Sequence, residues 1–443
     1  MDKDLAGKYA KNLSKMLQCE TVNDSSDPAD VTSEKFFAFH SLLKQLYPLT
    51  HERLERIPLG DALLLRWKGQ DSSKPVVVLM SHSDIVAVTG QWQHPPFGGE
   101  IADDCIWGRG AVDTKGSLCA IFEAAEALIA DGFTPSCDVY IFSSNNEEPL
   151  GDGAIKAVQY FLDNDIKLEL VSDEGGGIIE SLLPGTQDLV AMLGIVEKGY
   201  ANVRFTAKSA GGHASTPPKN TPIAQLAAFI NHMEKHPPFT SKFSPAVLSM
   251  FKAIAPHMSF SYRLTLGNLW LFGPLLKKII PRVNSQADAM LRTTCVFTMA
   301  EGSLAANIIP TSASVTANIR FSMHQPMDES LKIIRSVADK YGIETEVLYA
   351  HDCSPSTDTN NARFRYMLDC VSAVFPEVIA SPCVMLGGTD ARHFAPHCPC
   401  TVRFTPMILN KQQLNSVHGL DENLSVSSLA RAVEFYTLLL RNY

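Results

Sequence analysis

The chain of 443 residues has no apolar run approaching the roughly 20 residues a membrane-spanning helix needs. Its most apolar patch, 269–276, is broken by Gly273 and Pro274, so no bilayer crossing and no membrane partner is expected. The opening MDKDLAGKYAKNLSKMLQ carries charges throughout and lacks the apolar core of a signal peptide. Leu5, Tyr9, Leu13, Met16 and Leu17 instead recur at helical spacing, as in a packed first helix. There is no dense Lys/Arg block and the net charge is −9, which argues against a nucleic-acid surface. The ten cysteines include no Cys-x-x-Cys pair, and a chain this long is no disulfide scaffold; a reduced, cytoplasmic setting is expected. Gly151-x-Gly153 lacks the third glycine of a dinucleotide fingerprint. Neither a Gly-x-Ser-x-Gly elbow nor a phosphate loop occurs, so dehydrogenase, serine-hydrolase and NTPase readings lose. Internal repeats and low-complexity tracts are absent as well.

What is present centres on VVVLMSHSD, residues 76–84. So short and continuous a run of β-formers suits a strand buried on both faces of a parallel sheet. It ends in His82 and Asp84, where open α/β sheets place their ligands. Strands at 62–67, 76–81, 139–144 and 167–172 alternate with helices at 32–46, 117–130 and 154–163, which predicts a mostly parallel sheet with helices on both faces. From Lys198 the rhythm becomes β-α-β-β-α-β, the order of a ferredoxin-like α+β domain, with an extra segment at about 236–291. The α/β rhythm returns after His351 and closes with a helix over 426–440. The expected organisation is a discontinuous domain of residues 1–197 and 352–443, interrupted by an inserted domain of 198–351.

Strand ends and adjoining loops supply His82, Asp84, Asp113, Glu147, Glu148, Asp173 and His418. Imidazole with carboxylate suits zinc, cobalt or manganese, and the lack of cysteine argues against a structural zinc site. Two histidines with several acids suggest two ions sharing a bridging carboxylate. The adjacent pair Glu147–Glu148 divides naturally into a ligand and a free base, and Asp84 can orient the His82 imidazole. Blander roles exist for each residue. Asp113 could cap the helix that follows, Asp173 could stabilise the DEGGG turn, and His418 could cap the last helical region. The spacing of His393, His397, Cys398 and Cys400 fits no zinc pattern, and these residues read as structural.

SHSDIV, GRGAVDTKG, NNEEPLGDGA, SDEGG, GGHAS, NIIP and GGTDARHF occur in this order across nearly the whole chain. The ordered set closely resembles the co-catalytic zinc metallopeptidases, a family that includes aminoacylase, carboxypeptidase S, carboxypeptidase G and succinyl-diaminopimelate desuccinylase. The tryptophan-bearing loop, WGRG and the long insertion look most like the carboxypeptidase S branch, which also contains N-fatty-acyl amino acid hydrolases. The resemblance implies two Zn2+ ions, with Co2+ or Mn2+ as substitutes. His82 and Asp173 would hold one ion, Glu148 and His418 the other, and Asp113 would bridge them. Glu147 would be the general base and Asp84 the group orienting His82. His213 would be an oxyanion donor reaching the neighbouring subunit's site in a homodimer built through the inserted lid. Asn307, Arg320 and Gly388 would hold the substrate's carboxylate and backbone. The implied activity is hydrolysis of a peptide or amide bond next to a free carboxylate, on a small peptide or an N-acyl (including fatty-acyl) amino acid. Side-chain specificity does not transfer, because the insertion and its lining vary between branches, and NSVHGLDE around His418 is a looser match than the other motifs. A two-metal phosphoesterase is disfavoured by GGHAS and NIIP in a separate lid, and a non-catalytic relative by the completeness of the acid and histidine set.

Overall fold

A computed structural model describes residues 3–23, 33–180 and 188–443. Val76–Met80 is buried at every position and lies in the middle of a ten-stranded sheet. It pairs in parallel with Val139–Ser143 on one side and Leu168–Asp173 on the other; Thr401–Arg403 adds in parallel beyond the latter. Antiparallel strands Ala62–Trp67 and Glu55–Leu59 finish one edge. At the other side, Leu189–Glu197 pairs in parallel with Val378–Met385 and antiparallel with Gly177–Glu180.

Period-two alternation sends neighbouring residues of each strand to opposite faces, and both faces here are covered. Val77, Leu79, Val139 and Ile141 join a core with helices Lys3–Leu17, Lys115–Ala130 and Val426–Arg441. Val76, Val78, Met80, Tyr140 and Phe142 join another with Ala154, Ala157 and Phe161 of helix Gly153–Asp163. The helix expected over 32–46 is Ser33–Leu46, and Thr32 lies outside the described residues.

The chain leaves the large sheet at Glu197 and enters a four-stranded antiparallel sheet at Gly199. Its strand order is Thr294–Glu301, Ser312–Phe321, Gly199–Lys208, Glu344–His351, the arrangement that a β-α-β-β-α-β chain adopts in a ferredoxin-like unit. Ala201, Val203, Phe205, Ala317, Ile319 and Phe321 bury one face of this sheet against helices Pro222–Lys235 and Met327–Asp339. A two-stranded ribbon, Gly212–His213 with Ile308–Ile309, projects from it. The segment 236–291 forms helices Pro245–Ile254, Phe260–Gly267, Leu269–Val283 and Ser285–Leu291. The first of these packs back on the large sheet, its Ala246, Val247, Met250 and Ile254 joining the core that contains Val384.

Candidate metal centre

At the carboxyl ends of the parallel strands, His82, Asp113, Glu148 and His418 converge. Asp113 sits between the two imidazoles: its Oδ1 is 3.0 Å from His82 Nε2 and its Oδ2 is 3.0 Å from His418 Nε2. Glu148 Oε2 lies 3.3 Å from His418 Nε2. On the opposite side, Glu174 Oε1 lies 3.2 Å from His82 Nε2. His82, Glu147 and Glu174 offer donor atoms within 4.8 Å of one another, as do His82, Asp113 and Glu148.

Asp173, expected as a ligand, is buried, and its carboxylate accepts hydrogen bonds from the main-chain N–H of Glu174 (2.9 Å) and of Ala391 (2.8 Å); the carboxylate beside His82 Nε2 is that of the next residue, Glu174. A short side chain at the end of a strand curls onto nearby amides, whereas the longer Glu174 reaches the cluster. Gly175, Gly176 and Gly177, all with positive φ, turn the chain sharply away behind it. At Gly176 a Cβ would stand 2.0 Å from the Met192 carbonyl oxygen, so only glycine fits.

Supporting groups fix these side chains. His82 Nδ1 lies 2.9 Å from the main-chain oxygen of Asp84 and 3.4 Å from its carboxylate, which directs Nε2 at the cluster. The fully buried Asp84 carboxylate also accepts the N–H groups of Glu147 (3.2 Å) and Glu148 (3.0 Å), so one side chain sets both acids and the imidazole. Glu422, which the sequence reading missed, is fully buried. It accepts from Arg109 Nη1 (2.6 Å) and from the N–H groups of Gly110, Val112 and Asp113. It therefore ties the loop that presents Asp113 to the segment that presents His418, whose backbone is held at φ +57°. Nothing in LDE alone distinguishes a buried Glu422 from a solvated acid.

The electrostatics show a site crowded with negative charge. Burial pushes Glu174 up to about 8, with Asp113 adding repulsion. Burial also pushes Glu147 well above the carboxylate range; His82 pulls the other way, and Glu174, Asp390 and Asp84 add repulsion. His82 is raised well above its usual value; burial acts against this, but Glu174, Asp113 and Asp84 prevail. Hydrogen bonds to Asp113 and Glu148 raise His418 to about 10. Glu148 Oε1 is buried without a hydrogen-bond partner among the described residues. Half-buried carboxylates that share two imidazoles, with one acceptor oxygen left over, fit divalent cations of the zinc, cobalt or manganese type.

The remaining expected residues lie around the smaller sheet and its junction. His213 is exposed on the ribbon. Its Nδ1 accepts from the Ser215 N–H at 3.1 Å, which leaves Nε2 as the protonated nitrogen. Asn307 is exposed, and its carbonyl accepts from the Ala214 N–H, so it shares the ribbon with His213. Arg320 stacks its guanidinium 4.5 Å from the Tyr200 ring centroid. Gly388 borders Glu197, which accepts from Thr389 and from Arg403 Nε at 2.6 Å in a fully buried ion pair. Arg392 is a further missed residue: it is buried beside Gly388, with Nε and Nη2 unpartnered among the described residues.

The sequence pattern of Peptidase family M20/M25/M40 matches residues 78–442. The chain belongs to that family. It is 32% identical over 445 residues to probable carboxypeptidase S-like 2 of Dictyostelium discoideum, covering 98% of this chain and 84% of that protein. It is 30% identical over 437 residues to the human N-fatty-acyl-amino acid synthase/hydrolase PM20D1, covering 96% and 86%. The crystal structure of an M20 family metallo-carboxypeptidase from Sulfolobus solfataricus superimposes with a TM-score of 0.68 at 17% identity, covering 100% of this chain and 99% of that one. The chain is thus an M20 hydrolase of the carboxypeptidase S branch.

Two outcomes follow. Glu422→Ala should lower stability by about 3–5 kcal/mol, because it strands the buried Arg109 charge and three amides; a urea midpoint within error of wild type would contradict the bracing role. If Glu174 and His418 are metal ligands, loading the metal-free protein with Zn2+ at pH 7 should release protons, since these groups are raised to about 8 and about 10 and would lose their protons on binding. Affinity should accordingly fall as pH is lowered. Calorimetry in buffers of differing ionisation enthalpy would read this, and a binding heat independent of buffer would refute it.

Proposed function

We propose that this chain hydrolyses a peptide or amide bond next to a free carboxylate, with Glu147 as the general base. The observation that carries this reading is the pair of Asp113 oxygens, each 3.0 Å from a different imidazole, with Glu147 in the same cluster. His82 and Glu174 would hold one divalent cation, Glu148 and His418 a second, and Asp113 both. Bound there, two such ions acidify a shared water and polarise the carbonyl under attack. Zinc is the preferred identity.

Glu147 is buried and forms no salt bridge of its own among the described residues, with the His82 imidazole in the same cluster. It would take the proton from the attacking water and return it to the leaving amine. His213 would donate from Nε2 to the developing oxyanion, the tautomer that its Ser215 contact supports. The exposure of His213 and Asn307, whose hydrogen bonds run within their own ribbon, favours delivery to a partner subunit's site in a homodimer joined through the 198–351 lid. Arg320 and Arg392 would clamp the substrate carboxylate, with Gly388 lining its path. The ten unpaired cysteines favour a reducing, cytoplasmic setting.

Two substrate classes fit: peptides ending in a free carboxylate and N-acyl amino acids. The relative from human favours the second, and the carboxypeptidase S-like relative the first. A dipeptide assayed beside an N-oleoyl amino acid would decide between them. Glu147→Gln should reduce kcat by at least about a hundredfold while metal content stays at the wild-type level; turnover within a few-fold of wild type would remove Glu147 from the role of base. Amidating the carboxylate of the better substrate should depress kcat/KM by at least tenfold through the lost clamp.

A further inference from the structure

The helices of the 236–291 segment bury one side and leave the other uncovered. In Leu269–Val283, Leu276 and Ile280 face inward and are half-buried. Leu271, Leu275, Ile279 and Val283 recur every fourth residue on the outside, and Val283 is 72% exposed. Trp270 is 81% exposed, and Phe260 of the preceding helix is 70% exposed. A helix apolar on both sides is ordinarily buried on both. Between these helices and Pro245–Ile254 lies a groove of about 500 Å³ lined by Leu248, Phe251, Leu266, Leu269 and Trp270, with Lys252 and Arg263 also in its wall.

The charge on this segment is of one sign. Between Glu234 and Asp288 there is no acidic residue, whereas Lys242, Lys252, Arg263, Lys277, Lys278 and Arg282 all fall within it, in a chain whose net charge is −9. Asp288 is buried and paired with Arg292, so it does not soften the outer surface. A two-fold dimer through this face would set these cations against their own copies. Exposed tryptophan and leucine flanked by lysine and arginine suit instead an anionic lipid interface. The helix, about 22 Å long at 1.5 Å per residue, is too short to span the roughly 30 Å hydrocarbon core, which leaves it the interface plane.

We propose that the outer face of helices Phe260–Gly267 and Leu269–Val283 docks on anionic phospholipid bilayers, with Trp270, Leu271, Leu275 and Ile279 among the acyl chains and Lys252, Arg263, Lys278 and Arg282 against the phosphates. Lying on a bilayer in this way is compatible with the absence, among the described residues, of any helix long and apolar enough to cross one. The surface shares no residue with the acid cluster, so the proposal holds whichever amide is the substrate and whether or not metal is bound.

Flotation of the full chain with phosphatidylcholine vesicles, with and without phosphatidylserine, tests it. The chain should float with the phosphatidylserine vesicles, stay behind with phosphatidylcholine alone, and detach as salt is raised. Leu275→Ser with Ile279→Ser should abolish flotation, and Lys278→Glu with Arg282→Glu should weaken it at least tenfold, both with unchanged thermal unfolding. All four side chains are at least partly solvent-facing, and the charge pair touches no core. Three results would overturn the proposal: no flotation of wild type at low salt, equal flotation of wild type and both variants, or a change of oligomeric mass in the variants without any vesicle binding.

Discussion

Mutual repulsion of buried and half-buried carboxylates is the constraint on which this structure turns. Asp113, Glu147, Glu148 and Glu174 meet at one sheet edge around two imidazoles, with Asp84, Asp173 and Asp390 close behind. No chain would keep such a group together for stability, since each buried charge is costly unless paired. The fold spends structure on holding it. Asp84 grips the main chain of both glutamates, Glu422 grips the loop of Asp113, and the DEGGG turn fixes Glu174 by allowing only glycine after it. Sites organised against their own electrostatics in this way are the ones that take up cations.

The two units contribute different things. The large sheet delivers the acid and histidine set from the carboxyl ends of its strands, where rigid elements place side chains most accurately. The smaller antiparallel sheet carries the ribbon of His213 and Asn307 and the stacked Arg320, which on the proposed reading would grip the substrate. The buried Glu197–Arg403 pair lies at the junction where the chain passes from the large sheet to the small one, next to Gly388 and Arg392.

Much of this was legible in the residues. An unbroken apolar run ending in His82 has few homes other than a central parallel strand, and the switch to β-α-β-β-α-β after Lys198 marked the second sheet. Spacing does not say what the adjacent acids Asp173 and Glu174 each meet, because that depends on amide donors, one of which is Ala391, over two hundred positions from Asp173. Glu422 and Arg109 were hidden for a related reason: their pairing is a tertiary fact between distant loops. Arg392 gave no signal either, since burial without a partner cannot be seen in a charge pattern. The periodicity of the apolar helix at 269–283 does not say which of its sides the rest of the molecule covers.

The account rests on two cations joined through Asp113. X-ray absorption at the zinc edge of the loaded protein tests this most directly. The account predicts two ions per chain, with a metal–metal vector of roughly 3.5–4 Å that disappears in Asp113→Ala. A single ion per chain, or a pair whose separation is unaltered by that substitution, would contradict it.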